Sequence, residues 1–168
     1  MSNPFVEFLR PHKTVPHTPW SAKSRWDINP SRVGVLFFGL FIFGLGDSLL
    51  IQSSIGNAPW SVLAQGVAGK LDITMGWSTF AISTVVLLLW IPLKEKAGFG
   101  TLANIVIIAA AIQVGITFFP EQENYLIAIV YCLAGIAMVG FGSALYITCG
   151  LGPGPRDGLM TAIHNRSG

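Results

Sequence analysis

The stretch "VGVLFFGLFIFGLGDSLLIQ", residues 33–52, constrains this chain more than any other, because it is apolar throughout apart from a few small or polar residues and one charge, Asp47. About 20 such residues in a helix cross a hydrocarbon core of about 30 Å. Within that core every backbone N–H and C=O must be satisfied by the protein itself, which a helix achieves alone. Three further blocks have the same character: about Trp77 to Leu93, Thr101 to Phe119, and Tyr125 to about Cys149. Composition points the same way. Only 11% of the 168 residues are charged, against about 25% in a soluble domain that must cover its surface. The expected fold class is all-α: a polytopic helical membrane domain over residues 33–168, behind a polar tail of residues 1–32.

The tail carries Arg10, Lys13, Lys23, Arg25 and Arg32 together with five prolines. It lacks an apolar core and a cleavage-like site, so it does not read as a signal peptide. Basic residues next to a first span act as a cytoplasmic orientation signal. No nucleic-acid partner is expected from them. Trp20 and Trp26 are placed to rest the tail on the headgroup region.

Between the first and second blocks lies "SSIGNAPWSVLAQGVAGKLDITMG". Its helical part, Pro59 to about Leu71, would be about 20 Å long at 1.5 Å per residue, which suits a re-entrant half-helix better than a span. Loop charge agrees. With the tail inside, a re-entrant segment leaves Lys94 and Lys96 inside, whereas a spanning one would put them outside, against the positive-inside tendency.

Sliding the sequence by 96 residues lays "GLGDSLLIQSSIGNAPWSVL" over "GFGSALYITCGLGPGPRDGL". Gly39 meets Gly135, Gly44 meets Gly140, Gly46 meets Gly142, Gly56 meets Gly152 and Pro59 meets Pro155. An ungapped Gly-x-x-Pro match behind a matched apolar run reads as a duplication, with one unit over about 33–119 and a partial second over about 125–168. Three crossings per unit would invert the second copy, the plan of many secondary transporters. Gly56, Pro59, Gly152, Gly154 and Pro155 are the expected helix-breaking positions. The glycines permit the turn, and a proline fits the first turn of a new helix. The stretch is either an interfacial turn or a half-helix N-terminus lining a site.

The two copies differ where chemistry is expected: Trp60 aligns with Arg156, and Ser61 with Asp157. Ions at membrane depth are costly and face a bundle interior or an aqueous cavity. Arg156 at a helix N-terminus favours an anionic group. Alternatively Asp157 serves the helix dipole while Arg156 snorkels to headgroups. Asp47 reads as a proton or cation site, as a partner for Arg156, or as a shallow hydrated group. The candidate pathway residues are Asp47, Gln52, Asn57, Trp60, Ser61, Arg156 and Asp157, with Asn104, Gln113 and Thr148 as further interior polar groups. The Gly-x-Gly pairs at 44–46 and 140–142 read as close helix packing. Cys132 and Cys149 read as small buried hydrophobes. His12, His17 and His164 have no partner at a recognisable spacing. Neither a metal, a cofactor nor a catalytic set is expected, so the chain does not read as an enzyme.

These segments, with "GFGTLAN" at 98–104 and "GLGPGPRDGLMTAI" at 150–163, resemble the YczE/YyaS/YitT group of bacterial integral membrane proteins. The resemblance covers residues 33–168. It implies a multi-pass protein of the bacterial cytoplasmic membrane and carries over no site residues. At the same offset the second unit would continue to about residue 215, so two final spans are missing. A fragment is expected, or a partner protomer covering the exposed half-helix. The functional expectation is a transporter or permease for a small solute or ion, with the lipid bilayer and a second copy as partners. The alternative is a non-transporting scaffold, sensor or accessory subunit.

Overall fold

The computed structural model describes residues 15–167. Its helices are α1 (Pro30–Gln52), α2 (Pro59–Leu71), α3 (Met75–Leu88), α4 (Phe99–Phe118), α5 (Tyr125–Thr148) and α6 (Pro155–Ser167). No strand occurs among the described residues. Helix α1 starts three residues before the apolar block, because Pro30 sits in its first turn and the Asn29 side chain caps it, accepting from the Ser31 N–H at 3.1 Å. Such a cap satisfies one donor that the helix itself leaves open. The tail residues Arg10, Lys13 and His12 lie outside the described residues.

Helices α1, α4 and α5 are each long and apolar enough to cross a membrane. The block expected to span from Trp77 to Leu93 does not do so as one helix. It ends at Leu88 after 14 residues. Pro92 supplies the reason: it has no N–H to donate, and it disfavours helical geometry at Ile91. The chain leaves the helix through turns that close at Lys94, which takes a left-handed φ of 50°. Helices α2 and α3 meet at an angle of 114°, and they have the length and composition of a span only as a pair.

Helix α1 is central, packed along α5 on one side and α4 on another. At the end where α1 begins, the N–H of Phe99 bonds the Arg25 carbonyl at 3.0 Å and that of Ala22 bonds the Cys149 carbonyl at 2.8 Å. At the opposite end the Gln122 N–H reaches the Gln52 carbonyl at 2.9 Å. Helices α1 and α4 therefore run parallel, and α5 runs against both.

The α1–α5 contact is a glycine seam. A Cβ on Gly39 would lie 3.1 Å from the Gly142 carbonyl oxygen, and one on Gly46 would lie 2.9 Å from that of Gly135. Backbone touches backbone at both levels, which only small residues permit. Gly44 does the same work toward α4, where its Cβ would meet Ala111 and Ile108.

The segment before α1 is folded across the helix ends. Trp20 donates its indole N–H to Thr148 Oγ1 at 3.0 Å and packs on the buried cluster of Leu36, Leu40 and Cys149. It is thus pinned to the bundle and partly buried, whereas Trp26 is exposed.

Helices α2 and α6 each have 13 residues and open on proline. Ser54 and Gly150, 96 positions apart, both take left-handed φ values, 55° and 68°. Gly56, expected to make the first turn, has open space around it and no left-handed φ; Ser54 makes that turn instead. Gly152 does act as anticipated. Its φ is 116°, and a Cβ there would lie 2.8 Å from Thr101 Oγ1. Gly152→Ala should cost about 1–3 kcal/mol in backbone strain, read as a lower unfolding temperature of the detergent-solubilised protein. Gly56→Ala should leave it unchanged.

Candidate functional site

The break before α2 leads its N-terminus to the side of α1. Ala58 provides no side-chain cap, so the first-turn N–H groups of α2 carry partial positive charge without a local partner. Ser61, in that first turn, donates its hydroxyl to both oxygens of Asp47, at 2.8 and 2.9 Å. A carboxylate from α1 therefore stands at the positive end of α2, which favours it electrostatically.

The break before α6 builds a counterpart. Asp157, in the first turn of α6, accepts from the Tyr146 hydroxyl of α5 and lies 3.3 Å from Arg156 Nε. The Arg156 guanidinium sits over the Phe43 ring, 5.9 Å from its centroid, close enough for a cation–π attraction. Trp90 anchors the helix start from the end of α3, donating to the Pro155 carbonyl at 3.1 Å. In each half, one carboxylate and one hydroxyl bridge a long helix and the start of a short one. The carboxylate belongs to the long helix in the first half and to the short helix in the second.

Both constellations open onto one cavity of about 80 Å³, several times the minimum needed for a water molecule. Asp47, Trp60, Ser61, Arg156 and Asp157 all line it. Five of the seven pathway candidates are thus brought together. Gln52 and Asn57 are not. The Gln52 carboxamide donates to the Phe119 carbonyl at the far end of α1, and the Asn57 amide donates to Gln65 Oε1 at 2.8 Å. Arg156 forms its ion pair with Asp157, its neighbour at the start of α6, and acts on Asp47 as a longer-range charge. Of the structural candidates, Gly154 and Pro155 also reach the cavity wall. A Cβ on Gly154 would lie 2.9 Å from Asn104 Nδ2.

The remaining polar candidates divide. Gln113 accepts from the Gly76 N–H at 3.0 Å and so ties α4 to the start of α3. Thr148 takes the Trp20 indole. Asn104 lines the cavity and is buried. Phe43 and Tyr146 were not singled out from the sequence, since within unbroken apolar runs nothing distinguishes the side that meets α6. The two cysteines are free, Cys149 buried and Cys132 partly so. Among the described residues no group of His, Cys, Asp and Glu could hold a metal ion.

A model described as a family of unknown function, DUF6198, matches residues 30–168. An uncharacterized protein of Haemophilus influenzae is 43% identical over 154 residues, covering 92% of this chain and 71% of that protein. The uncharacterized membrane protein YczE of Bacillus subtilis is 30% identical over 134 residues, covering 79% of this chain and 62% of its own. The Na(+)/H(+) antiporter NhaA of Geobacter sulfurreducens is 40% identical over 90 residues, half of this chain and 22% of that protein. No solved structure matches. The family match takes in every helix and all the residues around the cavity, so this multi-pass membrane protein belongs to the DUF6198 family, whose function is unknown.

Proposed function

We propose that the chain is a permease for a small solute or ion, with its site in the cavity between the starts of α2 and α6. The observation that carries this reading is the convergence of two proline-led helix starts and three ionisable groups, Asp47, Arg156 and Asp157, on one cavity beside membrane-spanning helices. Ionisable groups at that depth are kept for a pathway more readily than for packing, because apolar residues would pack there at lower cost. The glycine seam supports an inverted duplication. Gly39 and Gly135 are equivalent under the 96-residue offset, as are Gly46 and Gly142, and the contacts run Gly39 to Gly142 and Gly46 to Gly135. A two-fold axis across antiparallel helices exchanges those contacts. The partial similarity to a Na(+)/H(+) antiporter is a further, weaker support.

In this reading the tail and Lys96 face the cytoplasm of a bacterial cell, and the loop at Gly56 faces outward. Single cysteines at Gly56 and Lys96, with Cys132 and Cys149 replaced, should label from opposite sides with an impermeant thiol reagent. The functional test is reconstitution into liposomes on a solid-supported membrane. Concentration jumps of sodium, n-propylammonium, glycine and acetate should include one that drives a transient current or a lumenal pH change. Silence with all four, from protein that remains folded, would overturn the permease reading in favour of a scaffold.

A further inference from the structure

The charges around the cavity do not balance. Arg156 and Asp157 form a pair of their own, and Tyr146 holds the second oxygen of Asp157. Asp47 forms no ion pair among the described residues; its contact is the neutral hydroxyl of Ser61, with Arg156 attracting it only from further away. No other charged residue lines the space. With both carboxylates ionised the cavity therefore carries one uncompensated negative charge.

A second observation concerns Asn104 on α4, beside Gly154. This side chain is only 9% exposed and lines the cavity, yet it makes no hydrogen bond to any described residue. Its polar atoms are not sealed in protein but open to the cavity, so whatever occupies that space is their partner. Its neighbour Gly154 leaves it room: a Cβ there would crowd the amide nitrogen. A carboxamide held this way, facing a space that water or a solute can enter, is a contact waiting for a ligand atom.

The remaining walls are mostly apolar or aromatic, with Trp60, Ile108 and Val86 among them and the hydroxyl residues Thr79 and Ser83 on α3 as the exceptions. An alkali-metal ion would occupy a small part of 80 Å³ and would leave those walls against water. From the uncompensated charge, the unpaired Asn104 and the apolar walls together, we infer that the cavity binds a small organic ammonium ion. Its charged nitrogen would meet Asp47 and its apolar body would lie against Trp60 and the aliphatic wall. Asn104 would accept a second ammonium N–H. Trp60 adds a π face, on which cations are attracted. This inference rests on the cavity being the solute site and names the class of solute.

The test is binding to the full chain in detergent, followed by calorimetry and by the unfolding temperature, with n-propylammonium as the probe. Propylammonium should bind and raise the unfolding temperature; propan-1-ol, which lacks the charge, and propanoate, which reverses it, should not. Asp47→Asn should weaken binding at least about tenfold, in line with loss of a charge-assisted contact. Asn104→Ala should weaken it several-fold, and this uncharged change keeps the test open if Asp47→Asn does not fold. Equal or stronger binding of sodium would overturn the inference in favour of an alkali-ion site, as would binding of propanoate in favour of an anion site at Arg156. Failure of propylammonium to bind would overturn it outright. Sodium currents that need Asp47, without ammonium binding, would leave the permease reading intact and remove this one. Ammonium binding without any flux would do the reverse.

Discussion

Asp47→Asn is expected to abolish solute-driven currents while leaving the bundle folded. Asparagine has nearly the same shape and can still accept the Ser61 hydroxyl, which now reaches both carboxylate oxygens. What disappears is the one charge around the cavity that forms no ion pair with a described residue. Removing one partner from a buried charged contact costs about 2–5 kcal/mol. Taking about 3 kcal/mol, and tenfold for each 1.4 kcal/mol, the loss in apparent affinity or rate is on the order of 100-fold. Asp47→Ala removes the same charge and also strands Ser61, so it should lower the unfolding temperature as well as the flux. A fully active Asp47→Asn protein would mean that Asp47 is a structural anchor for α2 and that the cavity chemistry lies elsewhere.

Gly142→Leu should have the largest effect on stability. A Cβ at Gly142 would lie 2.6 Å from the Gly39 carbonyl oxygen and 2.7 Å from the Phe43 nitrogen. Both are backbone atoms of a helix and cannot swing away, so α1 and α5 would have to separate. Overpacking of this kind costs about 1–3 kcal/mol and more when backbone must move. The protein should be recovered in low yield or aggregated on size exclusion, with a sharply lower unfolding temperature. Gly140→Leu, two residues earlier on the same helix, is the control: nothing lies within 4 Å of its added Cβ, so this substitution should be tolerated. A tolerated Gly142→Leu would show that the two helices are not in contact in the membrane.

The short helices were legible in the sequence because proline and glycine impose conformations locally. Pro59 and Pro155 mark the starts of α2 and α6 without reference to any neighbour. Asp47 was legible for a different reason: a charge in an apolar run is expensive wherever the helix points. Arg156 and Asp157 stood out as the charged counterparts of Trp60 and Ser61 under the 96-residue offset. The end of α3 was legible in principle from Pro92, but the apolar run continues through it and hides the break. Phe43, Tyr146 and the role of Asn104 were not legible. Each depends on how a helix is rotated about its axis, and helices apolar on all sides give no periodic signal from which to read rotation. Gln52 and Asn57 show the same limit from the other side. They are polar residues near a break, and the hydrogen bonds their amide N–H groups donate tie loops and helix ends.

The glycine seam also bears on how the molecule can deform. Helices separated by long side chains can slide, because rotamers absorb the displacement. At Gly39–Gly142 and Gly46–Gly135 there are no side chains to do so, and two touching levels resist tilting as well as sliding. Helices α1 and α5 are therefore a single stiff strut. Compliance is left to the 114° elbow between α2 and α3 and to the indole of Trp90, which latches the start of α6 through one hydrogen bond. The groups at the cavity thus differ mechanically: Asp47 stands on the strut, as does Tyr146 behind Asp157, while Ser61 and Asp157, the wall groups bonded to them, stand on the two arms.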